Sequence, residues 1–325
     1  MRFLGSQVRF GTWILAVVAT ACGGARPASE PAQPVEQSPS PTTVAQPVES
    51  VASAAEPATD DGRGGRLIDR FHDETFTPDD KKTPQLADGR GGPFGNGTLP
   101  LADGSPLLND AGHDYRLKNF FGWDLRGSDG IYGPKYLNKK YVQSWSLLGT
   151  TKSAQELTDA LTRGEGTLPA YGGVLPENDI QAIVSFVMGI REGRLPGPES
   201  VWALSEGTPG NYRLNAGADP ERGKKLYAER CSGCHGDDGT QMLFDDGEFS
   251  LGSHARQKAY EDWFKILNGQ PGTKMTRLVD GDATEMGKQV LDILAALCDT
   301  KAFPQGKATG GDVAPGDVRC GSYLK

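Results

Sequence analysis

The string Cys-Ser-Gly-Cys-His at residues 231–235 constrains this chain more than any other stretch. Two thiols three residues apart, at the end of a helix, can reach the two vinyl groups on one side of a porphyrin and become thioethers. The next residue, His235, can then turn its imidazole toward the iron. C-x-x-C-H is the attachment pattern of c-type haem. A C-x-x-C pair can instead be a thioredoxin-like redox dithiol. That reading expects a strand before the pair and a long helix after it, in a βαβ setting. Here a short helical pattern precedes Cys231 and no strand pattern is visible. The residues point to one covalent haem c on Cys231 and Cys234, with His235 as its first axial ligand.

The second axial ligand has four candidates downstream: Met242, His254, Met275 and Met286. Met242 follows His235 by only seven residues and can hardly cross to the opposite haem face. Met286 shares a helical stripe with Val290 and Ile293, as a core residue would. Met275 ends the loop "NGQPGTKM", whose glycines and proline let the chain approach a haem face, and it is preferred to His254. A thioether is a soft ligand that favours ferrous iron and raises the potential. With His235 and Met275 both bound, no position is left for a substrate, so the expected role is electron transfer rather than catalysis.

The start of the chain reads as an export signal. Arg2 and Arg9 precede a short apolar run, "GTWILAVVATA", too short to span a bilayer. Ala19-Thr20-Ala21 fits an ordinary cleavage site, while Cys22 followed by Gly23 and Gly24 resembles a lipoprotein signal in which that cysteine carries lipid. Cysteine arithmetic favours the lipid. Of five cysteines, two are claimed by the haem, and Cys298 with Cys320 can form a disulfide in an oxidising envelope, the alternative being two free thiols. Cys22 then remains as the lipid site. Residues 23–60 are rich in Pro, Ala, Ser, Glu and Val with no aromatic residue, which predicts a disordered tether. The net charge of −8 does not attract a phosphate backbone, so nucleic acid is not expected as a partner.

Beyond the tether, helical periodicity predicts helices over about 153–163 and over "ENDIQAIVSFVMGI", where Ile180, Ile183, Val184, Val187 and Met188 share a face. Pro196 and Pro198 suggest a linker. Asp219 can cap a helix beginning at Pro220. Further helices are expected over about 255–267 and 284–298. The string "DGRGG" occurs at Asp61 and again at Asp88. Neither copy carries the Lys-Ser/Thr of a phosphate-binding loop, and both read as turns.

Residues 216–300 resemble a class I c-type cytochrome domain. The resemblance rests on Gly223, Tyr227, Cys231-Ser-Gly-Cys234-His235, "GQPGTKM" and an amphipathic last helix. On that helix this chain has Ala295 and Ala296 where an aromatic residue is usual. The preceding domain is similar to cytochrome domains with G-G-x-L-x-D near the start and C-x-x-C-H-G-W-D-x-x-G later. Gly64-Gly65-Arg66-Leu67-Ile68-Asp69 matches the first element and Gly122-Trp123-Asp124-Leu125-Arg126-Gly127 the end of the second. The haem-binding positions then fall on Leu117, Phe120 and Phe121, and in "GEGTLPAYG" Leu168 stands for the methionine. The resemblance implies a haem-less domain whose apolar side chains refill the pocket, since a void costs about 24 cal/mol per Å³. The expected fold is mainly α: two cytochrome c-like helical domains in tandem, the first without haem and with long turn-rich loops. The boundaries are 1–22 signal, 23–60 tether, 61–197 haem-less domain, 212–300 monohaem cytochrome domain and 301–325 tail.

The remaining candidates carry little. His72 with Asp73 and Glu74, and His113 with Asp114, read as surface residues rather than metal ligands. The acidic run Asp237, Asp238, Asp245, Asp246 and Glu248 reads as a solvated face, with steering of a basic redox partner as the alternative. The expected partners are redox proteins and a membrane reached through the lipid on Cys22. The expected place is the cell envelope, facing the periplasm, with the outer membrane favoured because Gly23 gives no inner-membrane retention signal. A soluble periplasmic form is the alternative. Rival functions are a cytochrome subunit of a dehydrogenase or reductase complex, and a haem-based sensor with an open sixth site.

Overall fold

The computed structural model describes residues 61–75, 98–108, 116–133, 142–205 and 211–325, all within one compact unit that begins at Ala55. The signal, the tether, Cys22, His113 and Asp114 lie outside the described residues, as does the second "DGRGG"; the side chain of His72 is likewise not described. The described residues are mostly helical. In the first half, helices α1 (Asp61–Thr75), α2 (Leu117–Phe121), α3 (Ala154–Arg163) and α4 (Glu177–Arg191) accompany a hairpin of β1 (Thr98–Pro100) and β2 (Pro106–Leu108). A second hairpin joins β3 (Trp202–Leu204) to β4 (Tyr212–Leu214) in antiparallel register, Ala203 opposite Arg213. The second half has α5 (Pro220–Arg230), α6 (Ser232–His235), α7 (Leu251–Asn268) and α8 (Ala283–Leu297).

The helix ends follow from local chemistry. Ser153 caps α3 through a capping box with Glu156, and Asp219 accepts from the amides of Glu221 and Arg222 ahead of Pro220. Helix α7 begins at Leu251, earlier than its apolar stripe suggests, because Ser250 and Ser253 cap each other reciprocally. Helix α8 is capped by Asp282, which accepts from the amide of Glu285.

Two helix pairs dominate the packing, α1 on α4 and α5 on α8. Both approach through a glycine. A Cβ on Gly223 would lie 1.9 Å from the carbonyl oxygen of Asp292, and one on Gly64 would lie 2.1 Å from that of Ala182. The small Ala296, at 3.0 Å from the same Gly223 position, lets α5 and α8 close without an aromatic side chain between them. The first "DGRGG" is therefore not a turn. Asp61 to Gly65 is the first stretch of α1, and Gly64 and Gly65 are there for closeness, since a Cβ on Gly65 would meet the Asn268 side chain at 2.2 Å. The stretch around Pro196 and Pro198 is not an exposed linker either. Leu195, Val201 and Trp202 are buried in a core shared with both halves. Phe264 of α7 packs edge-on against Trp123 and Phe186 of the first half, with ring centroids 5.6 and 5.7 Å apart.

The tail wraps the second half. Cys298 and Cys320 are joined as a disulfide with Cα atoms 5.9 Å apart. Arg256, fully buried, donates to the carboxylate of Asp312 and to the carbonyls of Leu297 and Phe303. Tyr323 donates to the Asn215 carbonyl and accepts from the amide of Ala218.

Candidate cofactor site

Cys231 terminates α5 and opens α6, so one residue joins two helices at the point where the thiols must diverge. The amides of Cys234 and His235 both donate to the Cys231 carbonyl, at 3.2 and 3.0 Å. Gly236 ends the turn with φ +80° and returns its amide to Ser232. The Tyr227 hydroxyl donates to the Gly236 carbonyl at 2.6 Å, and its ring is held edge-on by Phe303. Tyr227 thus fixes the turn from the preceding helix.

This turn faces a cavity of about 470 Å³. Cys231, Cys234, His235 and Met275 line it together with Leu251, Ile266, Leu278, Ile293 and Leu297. Burial pushes the Cys231 thiol up to about 11, with Arg230 opposing. Burial also lowers the pKa of His235, against the pull of Asp262, a shift toward the neutral imidazole that binds a metal. The Nδ1 of His235 is buried without a hydrogen-bond partner.

The four candidate ligands are now distinguishable. Met286 is buried in the core and does not line the cavity. Met242 does line it but is 46% exposed. His254 lines it with Nδ1 engaged by both carboxylate oxygens of Asp262, at 3.0 and 3.1 Å. Burial alone would lower the His254 pKa, but Asp262 overrides it and the net shift is upward. Met275 stands on a tight loop closed by the Gln270 amide on the Met275 carbonyl, 2.9 Å, with Gly272 at φ +67°.

Residues of the first half also reach the cavity. Asp69, Arg70 and Arg116 line it, beside Lys265 and Lys274 of the second half. The Nε of Arg70 is buried with no hydrogen-bond partner. Apolar walls, two thiols and an imidazole suit a flat apolar ring system such as haem, and the polar rim mixes Arg70, Arg116, Lys265 and Lys274 with Asp69, Asp245, Glu261 and Asp262. No signal in the sequence ties Arg70, Arg116 or Lys265 to Cys231, because their approach depends on how α1 and α7 pack. Among the described residues no cluster of three or more His, Cys, Asp or Glu could hold a metal ion by itself.

Residues 218–289 match the family model described as cytochrome c oxidase, cbb3-type, subunit III. They form a c-type cytochrome domain. Such a domain implies covalently bound haem c and an electron-carrying role. The matched segment includes Cys231, Cys234, His235 and Met275. Comparison with curated proteins and with solved structures finds no significant match.

Two short segments of the first half resemble segments of this domain in backbone geometry. Helix α2 ends at Gly122 with φ +75° and ψ 167°, as α6 ends at Gly236 with φ +80° and ψ 164°. The Gly122 amide returns to Lys118 as that of Gly236 returns to Ser232. Leu117, Phe120 and Phe121 occupy the places of Cys231, Cys234 and His235. The loop after α3 is closed by reciprocal bonds between Glu165 and Leu168, 3.0 Å each, a tighter closure than the one from Gln270 to Met275. A Cβ on Gly164 would strike the Leu168 carbonyl, and one on Gly269 the Met275 carbonyl. Leu117, Phe120, Phe121 and Leu168 are all at most 2% exposed. Phe121, at the histidine position, packs edge-on against Trp145 with centroids 4.8 Å apart.

Proposed function

We propose that this chain is an exported monohaem c-type cytochrome that passes single electrons between redox proteins at a membrane surface. Cys231 and Cys234 would hold a haem by thioether bonds, and His235 and Met275 would ligate its iron. The haem supplies a one-electron ferric/ferrous couple. The chain's own residues do the rest. Tyr227 and Gly236 orient the attachment turn, the Leu and Ile wall excludes water, and Arg70, Arg116 and Lys265 are the lining cations that could pair with a haem carboxylate. Burial and a thioether ligand both favour the ferrous state.

The first half is a haem-less copy of the same domain, with Leu117, Phe120, Phe121 and Leu168 in place of the four haem-binding residues. The matching glycine geometry of the two halves supports this. Cys22 carries the lipid, residues 23–60 form the tether, and the protein faces the periplasm, with the outer membrane favoured. Those features rest on sequence alone, outside the described residues. Among the described residues no helix is long and apolar enough to cross a membrane.

The observation that carries the proposal is the convergence of Cys231, Cys234, His235 and Met275 on one apolar cavity. Its test is covalent haem per polypeptide in the matured protein, measured as the pyridine haemochrome against protein mass. One haem per chain is expected. Two would overturn the haem-less first half, and none, from a host that matures cytochromes, would overturn the whole reading. A second reading, a cytochrome subunit of an oxidoreductase complex, is favoured by the name of the matching family and predicts co-purification with a catalytic partner.

A further inference from the structure

The loop that carries Met275 is held from outside its own half. The amide of Gly272 donates to Oε1 of Glu74, near the end of α1, at 3.1 Å. The contact is close, since a Cβ on Gly272 would lie 3.1 Å from the Cβ of Asp73. Glu74 is itself fixed. Its side chain is 11% exposed and pairs with Arg66 Nε at 3.0 Å and Arg63 at 3.5 Å. Arg66 also donates to the carbonyl of Asn268, the last residue of α7, at 2.9 Å, and Lys265 of α7 pairs with Asp69 of α1. Helix α1 therefore grips the end of α7 and the loop after it at three points.

We propose that Glu74 is a positioning residue for the axial methionine, so that the haem-less half is retained as a working part of the haem centre rather than as a spacer. The inference rests on Met275 being an axial ligand. Within itself the loop is tied by the Gln270 amide on the Met275 carbonyl and by the Thr273 hydroxyl, which donates to the Gln270 carbonyl and accepts from the Met275 amide. All of these bonds are local to residues 270–275, so they shape the loop without fixing it against the rest of the protein. A carboxylate on the Gly272 amide restrains the loop three residues before the ligand, and a hydrogen bond to a charged acceptor is among the stronger kind. Without it the methionine leaves the axial position more often, and an added ligand can take its place.

The test uses the haem-loaded full chain and two readouts. One is the long-wavelength charge-transfer absorption of methionine-ligated ferric haem, and the other is the affinity of the ferric protein for added imidazole. The wild type should show the band, and E74A should weaken it and bind imidazole about tenfold more tightly, with haem content unchanged. E74Q keeps an acceptor for the Gly272 amide and should stay closer to wild type. A wild type without the band would remove Met275 as ligand, and this proposal with it. A wild type with the band and an E74A variant of unaltered imidazole affinity would overturn the clamp alone. If E74A does not mature, hydrogen exchange of the Gly272 amide in the wild-type protein decides: protection supports the clamp, and exchange at the rate of a free loop overturns it.

Discussion

The segments Leu117–Gly122 and Cys231–Gly236 have nearly the same backbone and opposite chemistry. Each is a single helical turn closed by a glycine at positive φ whose amide returns to the second residue of the segment. In one, the side chains matched with the thiols and the imidazole, Leu117, Phe120 and Phe121, are apolar and at most 2% exposed. In the other they are two thiols and an imidazole on the wall of a cavity. The difference separates what a cytochrome turn needs to fold from what it needs to bind haem. The turn needs its glycine and the helix pair behind it. The haem needs the thiols. At Leu117, Phe120 and Phe121 the turn is held by packing, as where Phe121 meets Trp145 edge-on.

The largest effect should come from removing the attachment chemistry. C231S together with C234S is expected to abolish covalent haem, read as the loss of the haemochrome signal. Substituting Leu117 and Phe120 by serine should leave haem content unchanged while destabilising the first half. Equal haem loss from both pairs would break the comparison.

A smaller effect is expected at Phe121, which stands where the second half has His235. F121A opens a hole against Trp145 in a fully buried site and should cost about 3–5 kcal/mol in denaturant unfolding. The long-wavelength haem spectrum should not change. A cost below about 1 kcal/mol would mean that the site relaxes and that Phe121 is not filling a former pocket.

The glycine pair sharpens the comparison further. G64A and G223A each drive a methyl into the backbone carbonyl of the partner helix, and a carbonyl cannot rotate away as a side chain can. Each should cost about 1–3 kcal/mol, the usual range for an overpacked contact. Similar costs would support equivalent helix crossings in the two halves. A cost at Gly223 alone would show that the crossing of α1 on α4 is looser.

The same residues show how far the sequence could be read. The shared turn of Cys231, Cys234 and His235 was legible because C-x-x-C-H is local: spacing alone places the three groups together, and they line one cavity. Helices α3, α4, α5 and α8 were legible from apolar periodicity and caps such as Asp219. The glycines of the first "DGRGG" were misread because glycine clusters locally favour turns, whereas Gly64 and Gly65 answer to Ala182 and Asn268, more than a hundred residues away. Pro196 and Pro198 misled for a related reason, since proline reports backbone restriction and not exposure. The places of Arg70 on the cavity wall and of Glu74 against the Gly272 amide were hidden because they depend on α1 lying along α7, and no short motif encodes that.

The smallest expected effect is a pH dependence confined to the first half. Lys118 takes the place of Ser232 in the paired turns, yet it is buried, 3.7 Å above the Trp123 ring and 3.9 Å from Asp69. Burial, reinforced by Arg116, lowers its pKa from 10.5 to about 7 in the folded protein. Between those values the unfolded chain binds a proton that the folded chain does not. Stability must then rise with pH across that window, and the penalty for charging the buried amine must be complete below about 7. K118M removes the titrating group and keeps the volume. The difference in unfolding free energy between wild type and K118M, measured from pH 6 to pH 9, should therefore move in favour of the wild type as pH rises. A flat difference would mean that Asp69 and the Trp123 ring keep Lys118 charged throughout, so that the first half holds a buried ion pair beside its packed apolar core.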